Sequence, residues 1–242
     1  MTHRRERDID FVMRINKYLS SFGVTSRRQA DRLIKDGRVR INGRVATVGD
    51  QIGDEDVVVV DKEPIAANID RIYIAYHKPI GVETTTSRLV KHNLVDELGF
   101  DFHFFPIGRL DKDSSGLLLL TNDGDIVNQI LRPEFHHEKE YLVHVDRPFD
   151  HAFLKKMREG IIVQDKRTQG AYVERHNKRA FNVVLTEGRN RQIRRMCEAL
   201  GYTVTALKRV RVMNVHLGRL KPGGWRHLKP REKKSLLAAC SR

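Results

Sequence analysis

Cysteine is scarce in this chain. Cys197 and Cys240 are the two present and make no CxxC spacing, which argues against both a disulfide framework and a thiolate zinc site. They read as reduced thiols. No stretch approaches the ~20 apolar residues that a membrane-spanning helix needs, and the opening "MTHRRERDID" holds no apolar core of the kind a secretory signal carries. The expectation is a soluble, cytoplasmic protein without a membrane partner. Neither a glycine-rich phosphate loop ending in Gly-Lys-Ser/Thr nor a dinucleotide fingerprint is present. His136 and His137 adjoin Glu138, yet no second ligand pair follows at metal spacing. Neither metal nor cofactor is expected. The single tryptophan, Trp225 in "KPGGWRHL", reads as a packing anchor after a turn.

Acidic residues are outnumbered. Against 31 Asp and Glu stand 45 Lys and Arg, a net charge of +14, and the sequence pI is about 10.0. Such an excess favours a polyanionic partner, with nucleic acid ahead of anionic membrane. The charge sits in blocks. Residues 14–44 carry nine bases and two acids, 45–70 one base and seven acids, 71–187 seventeen of each, and 188–234 fourteen bases and two acids. Two basic patches thus flank a neutral middle. A length of 242 residues suits two modest domains.

The first patch has legible local structure. "MRINKYLSSFG" places Ile15, Tyr18 and Leu19 at helical spacing, with Gly23 as a stop. In "TSRRQADRLIKDG", Ser26 and Gln29 make a capping-box signature, Ala30, Leu33 and Ile34 an apolar stripe, and Gly37 a left-handed close. "RVRINGRVAT" then reads as two short strands about Asn42-Gly43. Arg38 and Arg40 fall on one strand face and Val39 and Ile41 on the other, while Arg27, Arg28 and Arg32 lie around one helix. With the "GDQIGDEDVVVV" that follows, this order resembles the S4-type RNA-binding module over residues 13–62. The resemblance implies arginines that hold RNA phosphates, giving affinity and position but little sequence information. A small α/β domain with solvated arginines is the alternative. Residues 63–71, "EPIAANIDR", read as a linker.

From residue 72 the pattern is strand-rich. "RIYIAYHKPIGVETTT" starts as an apolar strand and breaks at Pro79 and Gly81. "FHFFPIGRLDKDSSGLLLLTNDGDIVNQIL" runs from an aromatic strand through a charged loop to a buried strand at Leu117–Leu120, a turn at Asn122–Gly124 and a helix bearing Ile126, Ile130 and Leu131. Several strands with few helices between them predict an α+β domain around a mainly antiparallel sheet. Gly116 permits a close backbone approach. A charged loop clamped between two buried strands is a rigid seat for a reactive group. The residues alone leave Asp111 and Asp113 open as its candidate carboxylates.

"GRLDKDSSGLLLLTNDGD" resembles the catalytic motif of RNA pseudouridine synthases. "HEKEYLVHV" is similar to that family's second motif, with Tyr141 at its tyrosine, and "TEGRNRQIRRMCEALGYTVTALKRVRV" to its third, with Arg194 at its buried arginine. An S4 module in front marks the RsuA-like branch, whose members modify ribosomal RNA, and "HEKEYLV" and "NRQIRRMCE" look closest to the RluF type that acts on 23S ribosomal RNA. The resemblance covers residues 13 to about 231 and implies a catalytic domain over 72–234.

It implies a cofactor-free isomerase that detaches uracil, turns it and rejoins it through carbon. Asp111 is then the nucleophile, attacking the sugar or the base. A carboxylate covered by a flipped base loses solvation, so a cationic partner is expected, and Arg194 is assigned that pairing. Tyr141 offers a face against the uracil and a hydroxyl whose part in proton transfer stays open. Arg109 alternates onto the same side as Asp111. Arg109, Arg189, Arg191, Lys208, Arg209, Arg211 and Arg219 are expected on RNA. Lys112 and Asp113 receive no role. The implied partner is ribosomal RNA, 23S rRNA or a large-subunit assembly intermediate, with small-subunit rRNA or transfer RNA as alternative targets, and the protein is expected to be a monomer. A catalytically silent S4-domain assembly factor and a glycosidase-like hydrolase are the competing functions. Residues 1–10 and 235–242 read as loose tails.

Overall fold

The computed structural model describes residues 12–53, 55–65 and 70–240. The expected N-terminal tail, residues 66–69 of the expected linker and the last two residues lie outside them. The chain divides into two compact units, with the break between Arg71 and Ile72 and with residues 101–103 and 122–124 counted with the first unit.

In the first unit, α1 (Ile15–Ser21) and α2 (Arg27–Lys35) bury Ile15, Leu19, Ala30, Leu33 and Ile34. The Ser26 hydroxyl accepts from the Gln29 N–H at 3.3 Å, satisfying a donor that the first helical turn cannot. β1 (Val39–Ile41) and β2 (Arg44–Val45) fold over Asn42 and Gly43, whose φ angles of 50° and 84° suit a tight hairpin turn. β3 (Val58–Val60) pairs with the far side of β1. Val39, Ile41 and Val58 join the helices in one core, and Arg40 points outward. Glu63 and Pro64 add a fourth strand by pairing with Val60 and Val59, so the expected linker starts too early. Asp61 and Lys62 turn the chain there at φ 51° and 72°. A lysine in that conformation gives no turn signal in sequence.

The second unit contains β4 (Tyr73–Lys78), α3 (Leu94–Leu98), β5 (Phe105–Ile107), β6 (Ser115–Thr121), α4 (Gly124–Leu131), β7 (Lys139–Val145), α5 (His151–Glu159), β8 (Tyr172–Asn177), β9 (Ala180–Leu185), α6 (Gln192–Ala199), β10 (Val204–Val212), β11 (Trp225–His227) and α7 (Pro230–Cys240). Its nine-stranded sheet runs β8-β9-β7-β10-β6-β4-β11, with β5 added to β6 and Val215–His216 to β10. Every pairing is antiparallel except β6 with β10. The unit is α+β with a mainly antiparallel sheet.

The sheet is covered on both faces, so β4 and β6 are buried along nearly their whole length. Leu117 and Leu119 share a core with Tyr73, Ala75, Ile126, Ile130 and Leu236. Val143, Val145 and Leu207 share the other with Phe153, Phe181, Ile193 and Met196. Leu131 is exposed, because it sits one residue, and so about 100° of helix, away from Ile130. The C-terminal tail reading is corrected by α7, which packs fully buried Leu236 and buried Cys240 into the core. Trp225 lies on an edge strand, half exposed, with its ring edge-on to Phe100 at 5.1 Å.

Candidate active site

β5 and β6 hold the loop from Gly108 to Ser114, and each carbonyl from residue 109 to 113 has a partner. Arg109 O accepts from Arg209 Nη1 at 3.3 Å. Leu110 O accepts from Thr84 Oγ1 at 2.6 Å, and the same hydroxyl accepts from the Leu110 N–H at 3.2 Å. Asp111 O accepts from the Ser114 N–H at 3.0 Å, and Lys112 O from the Gly81 N–H at 2.8 Å. Asp113 O accepts from Arg194 Nη2 at 3.0 Å. The backbone is thus secured from β10, from the chain after β4 and from α6, and Leu110 is buried between Arg109 and Asp111. Both flanking side chains are left at the surface.

Two carboxylates and two guanidiniums meet on this loop. Arg191, in a left-handed conformation at φ 52° just before α6, lies 3.2 Å from the Asp113 carboxylate and 3.7 Å from that of Asp111. Arg194, only 14% exposed, lies 3.3 Å from the Asp113 carboxylate and also donates to Ser114 Oγ and to Val204 O. The expected Asp111–Arg194 pair is therefore corrected: Arg194 reaches the loop at Asp113, and Arg191 spans both acids. The reason is local geometry. Arg194 is fixed by Val204 O and Asp113 O, which points its remaining reach at the nearer carboxylate. Burial pushes the Asp113 carboxyl up, but hydrogen bonds from Arg191 and the charges of Arg194 and Arg191 outweigh it and leave it below the usual range. The Asp111 carboxylate stays 31% exposed.

Sheet register continues the site inward. Tyr141 stands opposite Arg209, Arg209 opposite Gly116, and Gly116 opposite Lys78, so one face of four adjacent strands carries this row. A β-carbon on Gly116, at φ 114°, would sit 2.2 Å from Arg209 O. Only glycine fits. Tyr141 is half-buried against the core that contains Val143 and Leu207. Arg209, expected on RNA phosphate, is instead 3% exposed and donates to Leu117 O at 2.7 Å. Lys208 alternates onto the opposite sheet face from Arg209 and is half-buried.

The other expected phosphate contacts divide in two. Arg211 is locked between Glu138 at 3.0 Å and Glu140 at 2.8 Å, and Arg189 pairs with Glu187 at 3.1 Å. Arg38 makes a bidentate pair with Asp61, and Arg40 donates to Gly43 O at 2.8 Å. Each of these side chains has a partner within the protein. Arg27, Arg28 and Arg32 stand exposed on α2, and Arg109 and Arg219 are exposed on the second unit, all five without an ion pair among the described residues. Sequence reasoning missed Lys78 and Thr84, and it named Asp113 as a candidate carboxylate without giving it a role. The first had one signal, a lysine closing a strand otherwise made to be buried. The other two act through loop geometry that no spacing encodes. Among the described residues no group of three or more His, Cys, Asp and Glu is arranged to hold a metal ion, and no helix is long and apolar enough to cross a membrane.

Comparison with known proteins accounts for both units. The S4 domain model matches residues 13–58, and the RNA pseudouridylate synthase model matches residues 72–199. "Dual-specificity RNA pseudouridine synthase RluF" of Salmonella typhi is 47% identical over 222 residues, covering 90% of this chain and 76% of the relative. "Ribosomal large subunit pseudouridine synthase B" of Bacillus subtilis is 34% identical, covering 93% of this chain and 96% of that one. A solved structure titled "Crystal structure of pseudouridylate synthase" superposes with a TM-score of 0.67 at 30% identity over 93% of this chain and 99% of its own. With an S4 domain in front and all three sequence motifs in the second unit, the chain belongs to the RNA pseudouridine synthase family and is an isomerase acting on RNA.

Proposed function

We propose that this enzyme converts a specific uridine of 23S ribosomal RNA to pseudouridine, as a cytoplasmic monomer, with Asp111 as nucleophile, Arg191 and Arg194 as the cations beside it and Tyr141 against the base. The observation that carries the site assignment is a contrast on one loop. Every carbonyl from 109 to 113 is satisfied, yet the Asp111 carboxylate is partly exposed, with one guanidinium 3.7 Å away. A rigid backbone that presents an accessible carboxylate is what attack on a bound nucleoside requires.

The chemistry balances without help. The N1–C1′ bond breaks, a C5–C1′ bond forms, C5 gives its proton to solvent and N1 takes one up, so no electrons enter or leave. The uridine must leave its stack to reach Asp111, at a cost of a few kcal/mol. Arg109 holds an adjacent phosphate in this reading, which its exposure two residues from Asp111 supports. The S4 unit, through Arg27, Arg28 and Arg32, supplies affinity for the RNA backbone.

Large-subunit RNA is favoured by the named activity of the Bacillus subtilis relative. A second RNA target is favoured by the words "dual-specificity" in the name of the RluF relatives, and transfer RNA is the alternative to test. The test is to map pseudouridines in 23S, 16S and transfer RNA from cells with and without the gene. One 23S position lost with the gene and restored by the wild type, but not by Asp111→Asn, is the expected result. Unchanged 23S RNA overturns the target, and free uracil as product overturns the isomerase.

A further inference from the structure

Beneath the catalytic loop lie two cations that the reaction as described does not use. Lys78 is fully buried and Arg209 is 3% exposed. Neither makes an ion pair among the described residues. The Lys78 ammonium donates to Pro79 O at 2.8 Å and to Val82 O at 2.7 Å. Arg209 donates to Leu117 O and Arg109 O, and its Nη2 is buried without a partner. Gly116 separates the two residues in sheet register.

Buried charge this poorly paired is costly unless something nearby answers it. The groups that bear on Lys78 are Glu83 on the chain after β4, Asp111 and Asp113 on the catalytic loop, and Arg209 on β10. Three are acids, and two of those belong to the loop. The connection is also mechanical. The lysine closes the Pro79–Val82 turn, and Gly81 of that turn donates to Lys112 O.

We propose that Lys78 and Arg209 are positioning residues for the isomerisation, a buried positive layer under the catalytic loop that holds the Asp111 and Asp113 carboxylates in place once a flipped base has displaced the water above them. Arg191 is half-exposed, and its field is weakened by solvent while the site is open. The two buried cations are screened far less. The Lys78 charge depends on pH: burial pushes its ammonium down to about 8, against the pull of Glu83, Asp111 and Asp113 and with Arg209 opposing its charge. Its neutral form keeps two N–H donors for Pro79 O and Val82 O, so losing the proton removes charge and spares the turn.

This inference rests on the synthase reading of the site. The experiment follows tritium release from [5-³H]uridine-labelled 23S rRNA under single turnover, with full-length enzyme, between pH 6.5 and 9. In the wild type the rate falls about tenfold from pH 7 to pH 9, following a protonated fraction that drops from about 0.9 to about 0.1, while RNA binding stays level. Stability moves the other way. A lysine whose folded value lies below 10.5 binds fewer protons folded than unfolded between pH 8 and 10.5, so its contribution makes the fold firmer as pH rises. The stability contribution of this lysine therefore cannot mimic the loss, and melting profiles across the same pH range report on the rest of the fold. Lys78→Met lowers the rate at pH 7 about tenfold and removes the slope, and Lys78→Arg, whose charge does not titrate, keeps the rate level to pH 9. A wild-type rate flat to pH 9, or the same slope in Lys78→Met or Lys78→Arg, overturns the inference. If neither variant folds, the wild-type rate and melting profiles decide alone. Absent tritium release from the wild type at every pH sinks the synthase reading itself.

Discussion

Arg194 donates to the main-chain carbonyl of Asp113 at 3.0 Å and lies 3.3 Å from its carboxylate, whereas the guanidinium that pairs with Asp111, at 3.7 Å, belongs to Arg191. The two aspartates therefore differ in freedom. Asp113 answers two arginines, and Asp111, though less exposed at 31% against 48%, has one longer pair. Replacement should separate them. Asp111→Asn is expected to lower single-turnover isomerisation by at least ~10³-fold and leave RNA affinity unchanged. Asp113→Asn keeps the nucleophile and loosens the clamp, lowering the rate about tenfold at a stability cost below ~1 kcal/mol. Equal losses from the two variants would refute the assignment.

The two arginines differ in the same way. Arg194 is mostly buried and ties α6 to β10 through Val204 O and to the loop through Asp113 O. Arg194→Met leaves those carbonyls without a charged donor and should cost about 2–3 kcal/mol, lowering Tm by roughly 5–10 °C. Arg191, half-exposed, should change Tm by less than ~3 °C as Arg191→Met while still slowing the reaction. Calorimetry beside single-turnover rates distinguishes a residue that holds the site together from one that only charges it.

Much of this was legible beforehand. The cap at Ser26, the Asn42-Gly43 turn and the buried strand of leucines each follow from local chemistry, and each lies where its residues require it. Which arginine meets which aspartate did not follow, because Arg191 and Arg194 are one helical turn apart and only the left-handed backbone at Arg191 decides their reach. Arg209 was misread for a related reason. A basic residue in a basic block looks solvated until register shows it opposite a glycine in a covered sheet. The α7 helix escaped notice because its burial depends on one leucine, Leu236, meeting a distant core.

Gly116 tests that register directly. A methyl group there would meet Arg209 O at 2.2 Å and Arg209 N at 2.5 Å, both backbone atoms, at a φ of 114°. Neither β6 nor β10 can yield without breaking the parallel pairing between them. Gly116→Ala should cost more than ~3 kcal/mol and yield little folded protein. Gly43→Ala is the control: its φ of 84° is also left-handed, yet nothing lies within 4 Å of the added carbon, so the cost should stay near ~1 kcal/mol. Similar melting temperatures for the two variants would contradict the close approach.

Charge that grips RNA can be told from charge that holds the protein by its salt dependence. Arg27, Arg28 and Arg32 are exposed on α2, and each phosphate neutralised contributes ~0.7–0.9 to the slope of log affinity against log salt. Replacing all three with alanine should flatten that slope by up to ~2.7 and weaken binding at low salt, with Tm and the rate at saturating RNA nearly unchanged. Arg211→Ala should do the reverse. It strips the shared partner from Glu138 and Glu140, so two neighbouring carboxylates repel without compensation, and Tm falls while the salt slope stays put. Filter binding of 23S rRNA across 50–300 mM salt supplies both slopes. A slope unaltered by the triple substitution would remove the S4 helix from the RNA-binding surface.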